Sequence, residues 1–93
     1  DVLGKKLAML GQTHQVLCVT HLPQVASYAE SHWTIRKQVM GDRTSTRITC
    51  LRQETDRVEE LASMLRGESR GDLTRQEAAQ MLTSARALAL LTT

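Results

Sequence analysis

The sequence predicts an α/β fold, and three observations carry that prediction. The run Gln15-Val-Leu-Cys-Val-Thr20 is apolar on both of its alternating faces. Two alternating segments flank the pair Gly41-Asp42, and two stretches of helical period close the chain behind capping residues. A strand apolar on both faces belongs inside a parallel sheet covered by helices on either side. Ninety-three residues make at most one domain, near the lower end of what builds its own core. With 41% hydrophobic residues but one Trp, one Tyr and no Phe, that core must rest on Leu, Val, Met and Ala. Such a chain is expected to lean on another segment.

The elements follow in order. Leu3, Leu7 and Leu10 stand at helical spacing, with Gly11 where a helix stop is expected. Asp1 serves as its cap, or the helix begins upstream. Gln15 to Thr20 is the interior parallel strand. Pro23 sits naturally in a helix's first turn, because the N–H it lacks has no partner there. The runs "SHWTIRKQVM" and "DRTSTRITCL" form a hairpin whose two-residue turn lets Gly41 take positive φ. That register sets Val39 opposite Thr44, Lys37 opposite Thr46, Ile35 opposite Ile48 and Trp33 opposite Cys50. The hairpin, Ser31 to Leu51, is expected to extend the sheet. Its other face, with Thr34, Arg36, Gln38, Ser45, Arg47 and Thr49, is expected to meet water or a polar partner.

Asp56 to Glu59 fits an N-cap and N3 acid, ahead of a stripe of Val58, Leu61, Ala62 and Leu65 ended by Gly67. After the polar loop "ESRGD", Thr74-x-x-Glu77 reads as a capping box. It opens a helix to about Leu91 with Ala78, Met81, Leu82, Ala85 and Leu88 inward. The expected order is α, β, α, β, β, α, α, with the closing helices outside the sheet.

Composition excludes several function classes. A net charge of +2 supplies no global field for nucleic acid or a membrane surface. No apolar run approaches the roughly 20 residues of a membrane span, and no signal-peptide pattern is seen. Cys18 and Cys50 lie in apolar patterns and are expected to be free, buried thiols of a reducing cytoplasm. His14, Cys18 and His21 do not make a zinc set, because strand alternation sends Cys18 and His21 to opposite faces. Leu3-Gly-Lys-Lys6 lacks the earlier glycine and the Ser/Thr of a phosphate loop, and falls inside a helix.

His21 is the candidate that remains. In open α/β sheets ligands bind beyond the carboxyl ends of strands, and His21 stands at such an end, held by Leu22-Pro23. The alternative is a surface histidine that merely follows a strand. Arg36 and Arg47 fall opposite each other, so a carboxylate or phosphate would relieve their repulsion; the alternative is a solvated pair. His32 and Ser27 form no Ser–His–acid set that the sequence supports. Glu54, Asp56, Glu59 and Glu60 read as helix-start and exposed-face acids.

The string "QVLCVTHLPQVASYAESH", with "RVEELASML" further on, resembles the C-terminal end of the RecN family. These are bacterial DNA double-strand-break repair ATPases related to the structural-maintenance-of-chromosomes proteins. The likeness runs over nearly all 93 residues and implies that 1–93 form a single partial domain. That domain would be the C-terminal lobe of an ABC-type P-loop ATPase head: a buried parallel strand, a β-hairpin and flanking helices, with a sheet incomplete on its own. His21 would be the switch histidine of the H-loop, near the γ-phosphate of ATP and the attacking water. Thr20 and Gln24 would help to position it.

The phosphate loop, the signature motif, the acids that hold magnesium and the coiled coil would lie in other parts of such a protein. The isolated chain is therefore expected not to hydrolyse ATP. Implied partners are the N-terminal part of the same head, a second head in a head-to-head homodimer, and DNA through the complete protein, with a cytoplasmic, nucleoid-associated location and no membrane. Two rival readings are a small non-enzymatic nucleic-acid-binding module using Arg36 and Arg47, and a segment of another ABC-type ATPase.

Overall fold

A computed structural model describes residues 2–66 and 72–91. The elements run α1 (Val2–Leu10), α2 (Pro23–Ala26), β1 (Trp33–Met40), β2 (Arg43–Cys50), α3 (Glu54–Arg66) and α4 (Asp72–Leu91). The fold is mixed α/β, with one two-stranded antiparallel sheet among the described residues.

The hairpin takes the predicted register pair for pair, from Trp33 opposite Cys50 to Met40 opposite Arg43. Gly41 turns the chain at φ 66°, a value that L side chains resist. The backbone amide of Leu51 donates to the His32 carbonyl at 2.9 Å and closes the base.

The expected strand at Gln15–Thr20 is not formed. The segment is irregular, and Leu17 and Val19 are 91% and 82% exposed. Parallel pairing needs neighbours at ladder distance, and the only two strands among the described residues bond to each other. The hairpin therefore extends no larger sheet, and Trp33, Ile35, Val39 and Ile48 on its apolar face stay more than half exposed.

The closing helices also differ from expectation. Instead of covering a sheet, α3 and α4 make the core with α2: Ala26, Leu61, Ala62, Ala78 and Leu82, with Val58, Met64 and Leu65 packed against them. Three of those five buried residues are alanines, which lets the backbones approach closely. Ala85 is buried as predicted, and Met81 and Leu88 are half-buried. Both helices begin two residues before the predicted caps, so Asp56 lies within the first turn of α3 and Thr74 is a buried residue inside α4. Asp1, Gly67 and most of the "ESRGD" loop lie outside the described residues.

Helix α1 ends as predicted, with the Gly11 amide bonded to the Leu7 carbonyl at 2.9 Å. It packs through Gly4, which is buried, while Leu3 and Leu10 are about half exposed. A Cβ at Gly4 would run into the Tyr28 ring and come within 3.1 Å of the Gln24 carbonyl oxygen.

Two ionisable residues sit where α3 meets the rest. Arg57 is 7% exposed and donates from a terminal nitrogen to the Ala29 carbonyl at 2.8 Å, while its buried Nε has no partner. His32 also keeps a buried, unpartnered Nδ1. Burial first, and then the Arg57 charge, hold the His32 imidazole below its ordinary value of 6.5, against an upward pull from Glu60.

Gly4→Ala, worth about 1 kcal/mol of gain in an open helix, is expected to cost about 1–2 kcal/mol instead through overpacking against Tyr28. A melting temperature equal to or above that of the parent would show that α1 does not approach α2 this closely. Because folded His32 takes up its proton less readily than the unfolded chain, its stability contribution is intact above pH 6.5 and is lost as pH falls from there toward the depressed folded value. Melting followed through that window should slope less steeply in His32→Gln. Superimposable slopes would rule the imidazole out as the cause.

Candidate functional site

The turn that carries His21 is built from local chemistry. The Leu22 amide donates to the Thr20 hydroxyl oxygen at 3.0 Å, which folds the chain back immediately around His21. Leu22 is extended, at φ −98° and ψ 115°, as the residue before a proline must be. Its carbonyl then accepts from the amides of Val25 and Ala26, both at 3.0 Å. Pro23 occupies the first position of α2 and is buried.

Beyond α2 the bonds continue: Ser27 N–H to the Pro23 carbonyl at 2.9 Å, Tyr28 to Val25 and Ala29 to Ala26, both at 3.1 Å. The buried Ser27 hydroxyl donates to the Gln24 carbonyl at 3.2 Å. His21 itself is exposed. A stiff, hydrogen-bonded segment thus holds an imidazole out to solvent.

Thr20 and His21 border one open concavity of about 2080 Å³, walled by α1, the 12–21 segment, the base of the hairpin and part of α3. Gln24 is exposed but does not border it. Small-molecule pockets run to roughly 300–1,000 Å³. This trough is larger and open. Its walls carry the uncovered Val16–Val19 run. The structure thus brings Thr20 and His21 together at one wall and leaves Gln24 on the neighbouring exposed surface.

The remaining sequence candidates resolve differently. Arg36 and Arg47 do face each other across the ladder, and a carboxylate relieves them: Arg36 pairs with Glu60 of α3 at 2.5 Å. Glu60 is consequently no exposed-face acid, its side chain being 15% exposed. Glu54 is bound at both oxygens by Arg86, at 2.6 Å each, and that pairing holds its carboxyl below the usual range. The thiols are free, but they are not buried: Cys18 is exposed and Cys50 partly so. His14 bonds its neighbour Thr13 at 2.8 Å. Among the described residues no group of three or more His, Cys, Asp or Glu converges as a metal site would require, and no helix is long and apolar enough to cross a membrane.

Sequence reasoning missed Arg57. The signal was available, since Arg57 stands four residues before Leu61 on the stripe that α3 buries. A cation on an apolar stripe marks a place where a specific polar bond is made. Gly4 drew attention only through the resemblance of Leu3–Lys6 to a phosphate loop, and its contact with Tyr28 depends on tertiary packing that no local pattern reveals.

No family model matches the chain. Curated relatives do. The DNA repair protein RecN of Xylella fastidiosa (strain 9a5c) is 48% identical over 67 residues, 72% of this chain and 12% of that protein. RecN of Mycobacterium leprae is 42% identical over 84 residues, 90% of the chain and 14% of the relative. RecN of Bacillus subtilis is 37% identical over 85 residues, 91% and 15% respectively. The chain thus spans about one seventh of the length of these relatives. At this identity, over most of its own length, the chain belongs to the RecN family and corresponds to a C-terminal segment of it.

Proposed function

We propose that this chain is the part of a RecN-type DNA repair ATPase that presents His21 to the terminal phosphate of ATP. The observation that carries the reading is the Thr20–Ala29 segment: a continuous set of short hydrogen bonds that holds an exposed imidazole beside an uncovered apolar run. The relatives are DNA repair proteins, and action at double-strand breaks is part of the proposal.

The chemistry suits one histidine. Phosphoryl transfer needs little covalent help and depends on positioning and on stabilising charge at the phosphoryl oxygens. A ring N–H of His21 donates to one γ-phosphate oxygen and orders the attacking water, a contact absent once the third phosphate has left. Thr20 contributes by fixing the turn with its hydroxyl oxygen. Gln24, three residues on, is assigned a part in positioning the His21 loop.

The phosphate cradle belongs to the remainder of the head. The acids that hold magnesium belong there too, on this reading. In the full-length protein the trough is filled by the N-terminal part of the same head, and two heads close on ATP as a homodimer that acts on DNA in the cytoplasm at the nucleoid. The rival reading, a nucleic-acid surface at Arg36 and Arg47, is weakened by the commitment of Arg36 to Glu60.

His21→Ala in the full-length protein tests the proposal. Single-turnover hydrolysis should fall more than about tenfold, above ~1.4 kcal/mol of barrier, while ATP binding persists. Undiminished turnover would make the histidine a bystander. The 93-residue chain alone is expected to release no phosphate from ATP, and steady turnover by it would contradict a head completed elsewhere.

A further inference from the structure

A four-residue helix has no stability of its own. What holds α2 therefore decides where the His21 turn points. Besides the burial of Pro23 and Val25, it is held by Ala26 in the core, by Gly4 of α1 beneath Tyr28 and Gln24, and by Arg57 of α3 bonded to the Ala29 carbonyl at 2.8 Å. The others are contacts of shape. The Arg57 bond is directional and charge-assisted, the stronger kind of hydrogen bond.

Arg57 is also an unusual residue for its place. It is 7% exposed on the stripe that α3 buries, where an apolar side chain would avoid desolvating a guanidinium. The acids one turn away on the same helix are engaged by other arginines, Glu54 by Arg86 and Glu60 by Arg36. Those two pairs leave the Arg57 guanidinium to a backbone carbonyl, with its Nε unpartnered. A costly group kept from its neighbouring acids and spent on one carbonyl indicates a bond selected for position.

From Ala29 the hydrogen bonds run without a break to Thr20: Ala29 to Ala26, Tyr28 to Val25, Ser27 to Pro23, Ala26 and Val25 to Leu22, and Leu22 to the Thr20 hydroxyl. A tether at one end of such a segment fixes the other end. We propose that Arg57 is a positioning residue for His21, holding the Thr20–Ala29 segment from behind so that the imidazole keeps its aim. This rests on the reading of His21 as the phosphate-contacting group. Arg57 touches no reacting atom.

A double-mutant cycle in the full-length protein tests it, with Arg57→Met, His21→Ala and the pair, read as single-turnover hydrolysis and ATP affinity. Arg57→Met fills a similar volume without the donor. It should slow hydrolysis about tenfold, since a misplaced group costs rate steeply, while ATP affinity changes less than about twofold. Combined with His21→Ala it should add less than about twofold, because the tether has nothing left to aim. Arg57→Lys, with an ammonium that still donates to one carbonyl, should recover most of the rate.

Equal losses from Arg57→Met with and without His21, or no loss where His21→Ala does slow hydrolysis, would overturn the inference and leave the reading of His21 standing. If His21→Ala has no effect, the functional reading fails first and this inference with it. Should Arg57→Met not fold, Arg57→Gln carries the same cycle with the same deciding outcomes.

Discussion

A backbone segment apolar on both faces is stable only when hydrogen-bonding neighbours flank it and side chains cover it, and Gln15–Thr20 has neither among the described residues. Leu17 and Val19 stand almost wholly in water. Each of these large aliphatic side chains forgoes the roughly 1.5–3 kcal/mol that full burial contributes. Much else follows from this deficit. The trough beside the run is too large and open for a ligand pocket, and the hairpin keeps Trp33, Ile35, Val39 and Ile48 uncovered. The molecule is extended, 49 × 33 × 22 Å. The matching segment makes up 14% and 15% of the relatives from Mycobacterium leprae and Bacillus subtilis.

The parts that stand firm are those whose partners lie close in sequence. The hairpin needs only its own two strands and a glycine at φ 66°, and its register was legible residue by residue. The stripes of α3 and α4 pack on each other, so Leu61, Ala62, Ala78, Leu82 and Ala85 could be read as core. The turn around Pro23 was legible too, since a proline at the first helical position and an extended residue before it are local constraints. Helix starts were misplaced by two residues, and Thr74, read as part of a capping box, is a buried residue inside α4.

The interior strand was misread for the opposite reason. Its pattern describes a packed environment that these residues do not themselves create. Arg57 escaped notice, and Glu60 was read as an exposed-face acid, because a charge on a helix is ordinarily solvated. In this fold Glu60 reaches across to Arg36 of the hairpin, and Arg57 reaches to the carbonyl that ends the α2 segment. An exposed ion pair contributes at most about 1 kcal/mol. The value of these contacts is geometric: they bind the hairpin and the His21-bearing segment to the one helical pair that has a core. For His21 itself, sequence supplied the residue and its stiff turn, while its proposed phosphate partner lies on surfaces that these residues do not build.

Amide hydrogen exchange at Val16–Val19, compared between the 93-residue chain and the full-length protein, tests the central claim most directly. An orphaned interior strand should exchange as fast as unstructured backbone in the chain alone and become strongly protected in the full-length protein, where flanking strands take up its N–H groups. Equally rapid exchange in both would mean that the run never joins a sheet, and the proposed placement of His21 at a strand's end would be lost with it.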